Sequence, residues 1–100
     1  MSSFESYILE QLSSLNIKGR RMFDAYGLYL DGKFFAIIYQ DQLFFKTNEQ
    51  TRKDYEAFGS KPFAPSPKQI LKNYYEVPPE IIDDLVKLKE WARLSLAVIY

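Results

Sequence analysis

Residues 20–39 read RRMFDAYGLYLDGKFFAIIY, and this stretch decides the fold. It contains two runs of aromatic and branched side chains on either side of Asp31-Gly32, a dipeptide that readily takes the positive backbone angles of a two-residue hairpin turn. Gly27 interrupts the first run and favours a bend or bulge there, so this run forms either one bent strand or two short strands. The second run, residues 33–40, predicts a strand that is buried on both faces.

Alternation divides the side chains of the second run between the two faces of a sheet. One face receives Phe34, Ala36 and Ile38, and the other receives Phe35, Ile37 and Tyr39. Residues 43–47 form the next strand, which completes a three-stranded antiparallel meander. Helices on one face alone would leave several aromatic rings exposed. A partner protein, the middle helix or the proline-containing loop that follows it is expected to cover them.

Two helices flank the meander. Apolar residues spaced by three and four positions predict a helix over residues 4–15. Asn48 is a good N-cap for a second helix over residues 49–58, and Gly59 stands where a left-handed residue commonly ends a helix.

The C-terminal part of the chain contains a loop, a strand and a helix. Residues 60–68 contain three prolines and are predicted to form a stiff loop, and residues 69–77 are predicted to form a strand. An apolar stripe with helical spacing follows from Pro79. Asp83 or Asp84 is an alternative cap that would split this last helix into two segments.

The order of these elements predicts an α+β fold with two layers, in which helices lie mainly on one face of an antiparallel sheet. The order is helix, three strands, helix, at least one further strand, helix. A chain of 100 residues has room for one core. We therefore expect one domain over residues 1–100.

The composition excludes most familiar catalytic machinery. The chain has no Cys and no His, which removes thiolate nucleophiles, His general bases and ordinary zinc or haem ligation. We expect no catalytic residues, no metal and no cofactor. Thirteen Lys and Arg balance thirteen Asp and Glu, which argues against direct binding to nucleic acid. Without a bilayer-spanning apolar run or an export signal, the expected location is the cytoplasm and no membrane partner is expected.

Two charged clusters are candidate sites. The carboxylates within residues 80–84 could attract a hard cation, but their positions are those of acidic residues at a helix N-terminus, so no metal site is predicted. Lys18, Arg20 and Arg21 form the densest basic cluster, which could contact a phosphate or an acidic protein surface. The alternative is a solvated charge cluster on an edge strand.

The motif RMFDAYGLYLDG at residues 21–32 resembles the opening motif of the TfoX N-terminal domain family, which is linked to the regulation of bacterial competence. Further blocks follow in the family's order and approximate spacing. They are FA at 35–36, LFFK at 43–46, FGSKPF at 58–63, YYEVP at 74–78 and EWA at 90–92. The residues assigned a structural role in these motifs are Gly27, Asp31, Gly32, Gly59 and Trp91.

The resemblance implies a secretion-chaperone-like α+β fold that runs helix, three strands, helix, two strands, helix. It also implies a regulator or co-regulator of transcription that works alongside a DNA-binding protein. The chain departs from the family pattern at Asp24-Ala25, where many members have Gly-Gly. Full-length competence regulators also have a second domain, which we do not expect here, so a stand-alone binding module is the expected form.

The residues and the resemblance together predict a non-enzymatic regulatory or adaptor protein that acts through protein contacts. The expected contact residues are Arg20, Arg21, Tyr29, Phe35 and Tyr39. Self-association would cover an exposed apolar face, so a homodimer is also predicted.

Two alternatives stay open. The first is a nucleic-acid-binding module in which Lys18, Arg20 and Arg21 meet phosphates while nearby aromatic rings stack on bases. The second is an enzyme or small-ligand-binding domain in which Tyr and carboxylate side chains line a pocket.

Overall fold

A computed structural model describes residues 3–98 of the chain. In that range six strands form one sheet in the order β1-β2-β3-β4-β6-β5, and all neighbouring strands are antiparallel. The elements in chain order are α1 (Ser3–Gln11), β1 (Ile17–Met22), β2 (Ala25–Leu30), β3 (Lys33–Tyr39), β4 (Gln42–Lys46), α2 (Glu49–Ala57), β5 (Pro62–Ser66), β6 (Gln69–Glu76), α3 (Pro79–Ile82) and α4 (Leu85–Ala97). The predicted α+β class with an antiparallel sheet is confirmed.

The two faces of the sheet are covered differently. On one face, side chains from every helix within residues 3–98 pack with strand residues into the main core. Its buried members are Ile8, Leu12, Leu28, Phe35, Ala36, Ile38, Leu43, Phe45, Tyr55, Tyr75, Val77, Ile81, Ile82, Leu88 and Ala92. The other face, called the helix-free face below, has a smaller buried cluster. This cluster comprises Ile37, Phe44, Phe63 and Tyr74.

Two-residue turns connect the first four strands. Asp31 and Gly32 have φ angles of 52° and 76°, which confirms the predicted hairpin turn. The first predicted strand is in fact two strands, because Met22 pairs with Ala25 across a turn in which Phe23 has a φ of 56°. Four strands therefore precede α2 where the sequence and the resemblance predicted three. Two short strands were one of the forms left open, but the break was expected at Gly27, which instead lies within β2.

A β-bulge changes the predicted faces of β3. Leu28 pairs with Ala36 and Tyr29 pairs with Phe34, so Phe35 is the extra residue. Phe35 consequently lies on the helix-covered face together with Ala36, and it is 0% exposed. The prediction that placed Phe35 beside Tyr39 on the opposite face is wrong, because strict alternation fails at the bulge.

The segment predicted as a proline-containing loop covers part of the helix-free face. Residues 62–66 form β5, an edge strand whose pairing with β6 shifts register twice. Phe63 of β5 lies with its ring centroid 4.7 Å from that of Phe44 and 5.3 Å from that of Tyr39. The proline-containing segment, one of the three expected covers, buries aromatic rings on this face.

Local capping sets the helix boundaries. The Asn48 side chain accepts hydrogen bonds from the amides of Gln50 and Thr51, so the predicted cap of α2 is confirmed. Gly59 follows α2 with a φ of 77°. Asp84 accepts from the amide of Lys87 and begins α4, which confirms the alternative in which the last helix is split. The predicted first helix ends earlier than expected, as α1 stops at Gln11.

Candidate binding surface

The part of the helix-free face formed by β1 and β2 is open. The β5 segment covers β3 and β4 but its aromatic contacts stop at Tyr39 and Phe44. An open groove of about 430 Å³ lies at the opposite edge of the sheet. The residues that line it are Asn16, Lys18, Gly19, Arg20, Tyr29, Asp31 and Gly32. This groove brings basic and aromatic side chains together.

Strand register determines which basic side chains face the groove. Lys18 pairs with Tyr29 and Arg20 pairs with Gly27, so both cations share the helix-free face with the Tyr29 ring. The Phe34 ring and the end of Met22 occupy the space where a Cβ of residue 27 would lie, so the packing requires glycine at this position. Phe34 in turn packs against Tyr29 with ring centroids 5.1 Å apart, which holds the Tyr29 ring beside the groove.

Arg21 points to the opposite face of β1. Its guanidinium donates two hydrogen bonds to the Glu5 carboxylate of α1, at 3.1 and 2.9 Å. It also lies over the Tyr26 ring, 5.1 Å from the ring centroid. The Glu5 carboxylate raises the pKa of Arg21 above its ordinary value. Arg21 therefore fixes α1 to the sheet edge and does not line the groove.

Phe23 projects from the turn between β1 and β2. Its side chain is 101% exposed, the largest exposure among the large apolar side chains of residues 3–98. Its φ of 56° is in the left-handed region, which a bulky residue adopts at an energetic cost. We use the name β1–β2 surface for the exposed residues Lys18, Arg20 and Phe23 together with the half-buried Tyr29.

The structure brings together some of the residues that the sequence predicted and separates others. Arg20 and Tyr29 both line the groove. Arg21 lies on the other face, Phe35 is buried in the main core, and Tyr39 packs against Phe63. The predicted contact residues therefore do not form one continuous surface.

Sequence reasoning did not select Phe23, although one signal for it was present. A phenylalanine in the turn that joins two aromatic runs has little opportunity for burial, because a two-residue turn projects away from the sheet. Placing the interruption of residues 20–30 at Gly27, whether as a bend or between two short strands, concealed that turn. Recognising Phe23 required its exposure and its backbone conformation, and both are properties of the folded chain.

A second, smaller cleft of about 170 Å³ lies between α1 and α3. The Tyr7 hydroxyl donates a 2.8 Å hydrogen bond to Asp83 there, and this bond raises the pKa of Tyr7. Asp41 and Glu76 also line the cleft. No group of three or more potential metal ligands was found within residues 3–98. In the same part of the chain, no helix is long and apolar enough to cross a membrane.

Comparison with known families identifies the domain. The family model for the TfoX N-terminal domain matches residues 9–99, which is nearly the whole chain and includes every strand of the sheet. The chain belongs to the TfoX N-terminal domain family. No curated protein matches it.

The TfoX motif residues have structural positions in this domain. Asp31 and Gly32 form the β2–β3 turn, and Gly59 follows the end of α2. Trp91 of α4 packs edge-on against Tyr55 of α2, with ring centroids 4.6 Å apart. The motif residues shared with the family therefore form turns and a core contact, and the family membership supports a regulatory role for the domain. The open β1–β2 surface requires its own explanation.

Proposed function

We propose that this TfoX N-terminal domain is a non-enzymatic regulatory or adaptor protein that acts through protein contacts at the β1–β2 surface. Membership of a family linked to competence regulation supports a regulatory role. The observation that carries the proposal is Phe23, an exposed aromatic ring held in a left-handed backbone conformation. Phe23 gains no burial in the isolated chain that would offset this cost.

The surroundings of Phe23 suit a protein partner. Aromatic and Arg side chains are enriched at the energetic centres of protein interfaces. Phe23 provides an apolar anchor in the turn that joins β1 and β2, and Arg20 and Tyr29 provide a polar and aromatic surface further along the same two strands. A partner that buries the Phe23 ring would recover the free energy that the isolated chain forgoes.

Nucleic-acid binding through the same groove is the second candidate, because Lys18 and Arg20 lie beside the Tyr29 ring. Two features argue against it. Asp31 places a carboxylate in the groove, and Arg21 is engaged by Glu5 on the other face. A DNA or RNA oligonucleotide that bound at 50 mM salt and was released as the salt concentration rose would favour this candidate.

We propose no reaction for this domain. Within residues 3–98, the groups with raised pKa values are Tyr7, Arg21, Tyr55 and Tyr74, and they lie on four different elements. Each shift has a structural cause, either a hydrogen bond or burial. A small-ligand role would instead show as thermal stabilisation in a ligand screen. The cytoplasmic location and the homodimer stay predictions. The homodimer was expected because it would bury an exposed apolar face, and β5 already covers part of that face.

The test is affinity capture of the tagged chain from a nuclease-treated lysate of its native cells. The bait proteins are the wild type, Phe23→Ser and a matched control, Val86→Ser, which alters another exposed apolar side chain on α4. Stoichiometric recovery of a transcription factor or polymerase subunit by the wild type and the control, but not by Phe23→Ser, supports the proposal. Equal recovery by all three proteins, or recovery of no partner, contradicts it.

A further inference from the structure

We propose that an extended, acidic segment of a partner protein adds to the outer edge of β1 as a further strand, with its carboxylates against Lys18 and Arg20. This inference rests on the proposed function and specifies the chemistry of the partner.

The outer edge of β1 is available for strand addition. Ile17–Met22 is the end strand of the sheet, and four of its six residues are exposed. Within residues 3–98 its backbone pairs with β2 on one side and with no strand on the other. An edge of this kind presents unpaired N–H and C=O groups to an extended peptide.

The opposite edge of the sheet is unsuited to the same interaction. There β5 contains Pro62 and Pro65, which have no backbone N–H to donate, and its register with β6 is irregular. The segment is also held against the helix-free face by Phe63. Of the two edges in the described part of the chain, β1 is the one whose backbone can pair with another strand.

Charge determines what kind of strand fits. Lys18 and Arg20 are exposed, and neither forms an ion pair within residues 3–98. A second copy of β1 would bring the same cations against them, and like charges on neighbouring strands are destabilising. Carboxylates on an added strand would instead meet both cations. The edge therefore disfavours a second copy of this chain and favours an acidic segment.

The groove provides space for one side of the added strand. Alternate side chains of a strand point to one face, which is the spacing that places Lys18 and Arg20 together beside the Tyr29 ring. An added strand would present its alternate side chains to that same face. The phosphates of a nucleic acid could accept hydrogen bonds only from the backbone N–H groups of β1, whereas an extended peptide pairs with both its N–H and its C=O groups, so the peptide explains more of the site.

The test uses fluorescence anisotropy with defined peptides and the full chain. The probe is a labelled peptide of about eight residues that alternates glutamate with threonine, a length typical of strands. One twin has lysine in place of glutamate, and another has N-methyl groups on alternate amides, which remove hydrogen bonds without removing charge. The protein variants are K18E/R20E and a charge-matched control, K53E/K87E, whose lysines are exposed on helices. Circular dichroism verifies that each variant is folded.

Strand addition predicts that the glutamate peptide binds the wild type and the control equally. It predicts at least about tenfold weaker binding to K18E/R20E, and a similar loss for the lysine and N-methyl twins. Three results would overturn it. They are equal binding of the N-methyl twin, tighter binding of an oligonucleotide with the same dependence on Lys18 and Arg20, and a dimer in sedimentation that K18E/R20E dissociates.

The peptide assay and the capture experiment distinguish failure of strand addition from failure of the proposed function. A partner that depends on Phe23, recovered while the glutamate peptide does not bind, overturns strand addition and leaves the proposed function standing. Loss of both results overturns the function and the mode of docking together.

Discussion

The hydroxyl of Ser95 on α4 donates a buried hydrogen bond to the carbonyl oxygen of Phe35, at 3.2 Å. Phe35 is the bulged residue of β3, so α4 supplies a donor where the pairing between β2 and β3 is interrupted. The same hydroxyl also lies 2.9 Å from the carbonyl oxygen of Lys46 in β4. One side chain on the last helix thus joins that helix to two central strands.

Replacing Ser95 with Ala should destabilise the fold. Ser95 is 1% exposed, so its loss leaves buried carbonyl groups without this donor, at a cost of about 1–2 kcal/mol in the free energy of unfolding. Urea denaturation measures the change. Ser13→Ala, at an exposed position, is the control and should have little effect. Equal stability of the two variants would show that the Ser95 hydroxyl contributes nothing.

Replacing Phe23 with Gly should stabilise the isolated chain and abolish partner binding. Glycine adopts a φ of 56° without the steric penalty that a Cβ imposes, which favours the folded state by about 1 kcal/mol. Phe23→Ala retains the Cβ and should not show this gain. Thermal unfolding of both variants, together with capture of the partner, measures the two effects. If the Gly variant were no more stable than the Ala variant, backbone strain at Phe23 would be excluded.

Replacing Gly27 with Ala should destabilise the sheet. A Cβ at this position would lie 2.7 Å from the Met22 Cε and 2.8 Å from the Phe34 Cε1. Met22 can move aside, but the Phe34 ring is packed against Tyr29 and Tyr74, so we expect a loss of about 1–3 kcal/mol. A double-mutant cycle with Phe34→Leu should recover part of this loss. Additive effects of the two substitutions would contradict the steric explanation.

The stability of the fold should decrease at alkaline pH because of Tyr55. Burial raises the pKa of Tyr55, whose side chain is 3% exposed, above its ordinary value. Above about pH 10 the unfolded chain releases this proton while the folded chain retains it, so the free energy of unfolding falls by about 1.4 kcal/mol per pH unit. Tyr55→Phe should lack this component. Urea titrations from neutral to alkaline pH would contradict it if both proteins showed the same slope.

Local sequence signals predicted the elements that depend on neighbouring residues. Asp31-Gly32 takes positive φ angles and Asn48 caps α2, because a turn and a helix cap are each decided within a few residues. The bulge at Phe35 is different, since it depends on how β2 and β3 align, and the carbonyl of the bulged residue meets Ser95 from a distant helix. The cover that Phe63 provides likewise depends on distant strands. Sequence alone could not predict these long-range contacts.

The sequence predicted only part of the candidate surface, because the rest also depends on long-range strand pairing. The sequence located the basic cluster, but strand register decides that Arg20 faces the groove and that Arg21 faces Glu5. A turn without glycine concealed Phe23, because a bulky residue rarely adopts a left-handed conformation. Phe23 departs from local rules, which is typical of positions retained for function.

The most direct test of the central claim is photocrosslinking in native cells. A photoreactive benzoylphenylalanine is placed at position 23, or at position 86 as the exposed control, and crosslinked products are identified by mass spectrometry. Protein contact through the β1–β2 surface predicts that position 23 crosslinks to one partner protein and that position 86 does not. Crosslinks to no protein from position 23, or to the same proteins from both positions, would contradict the claim.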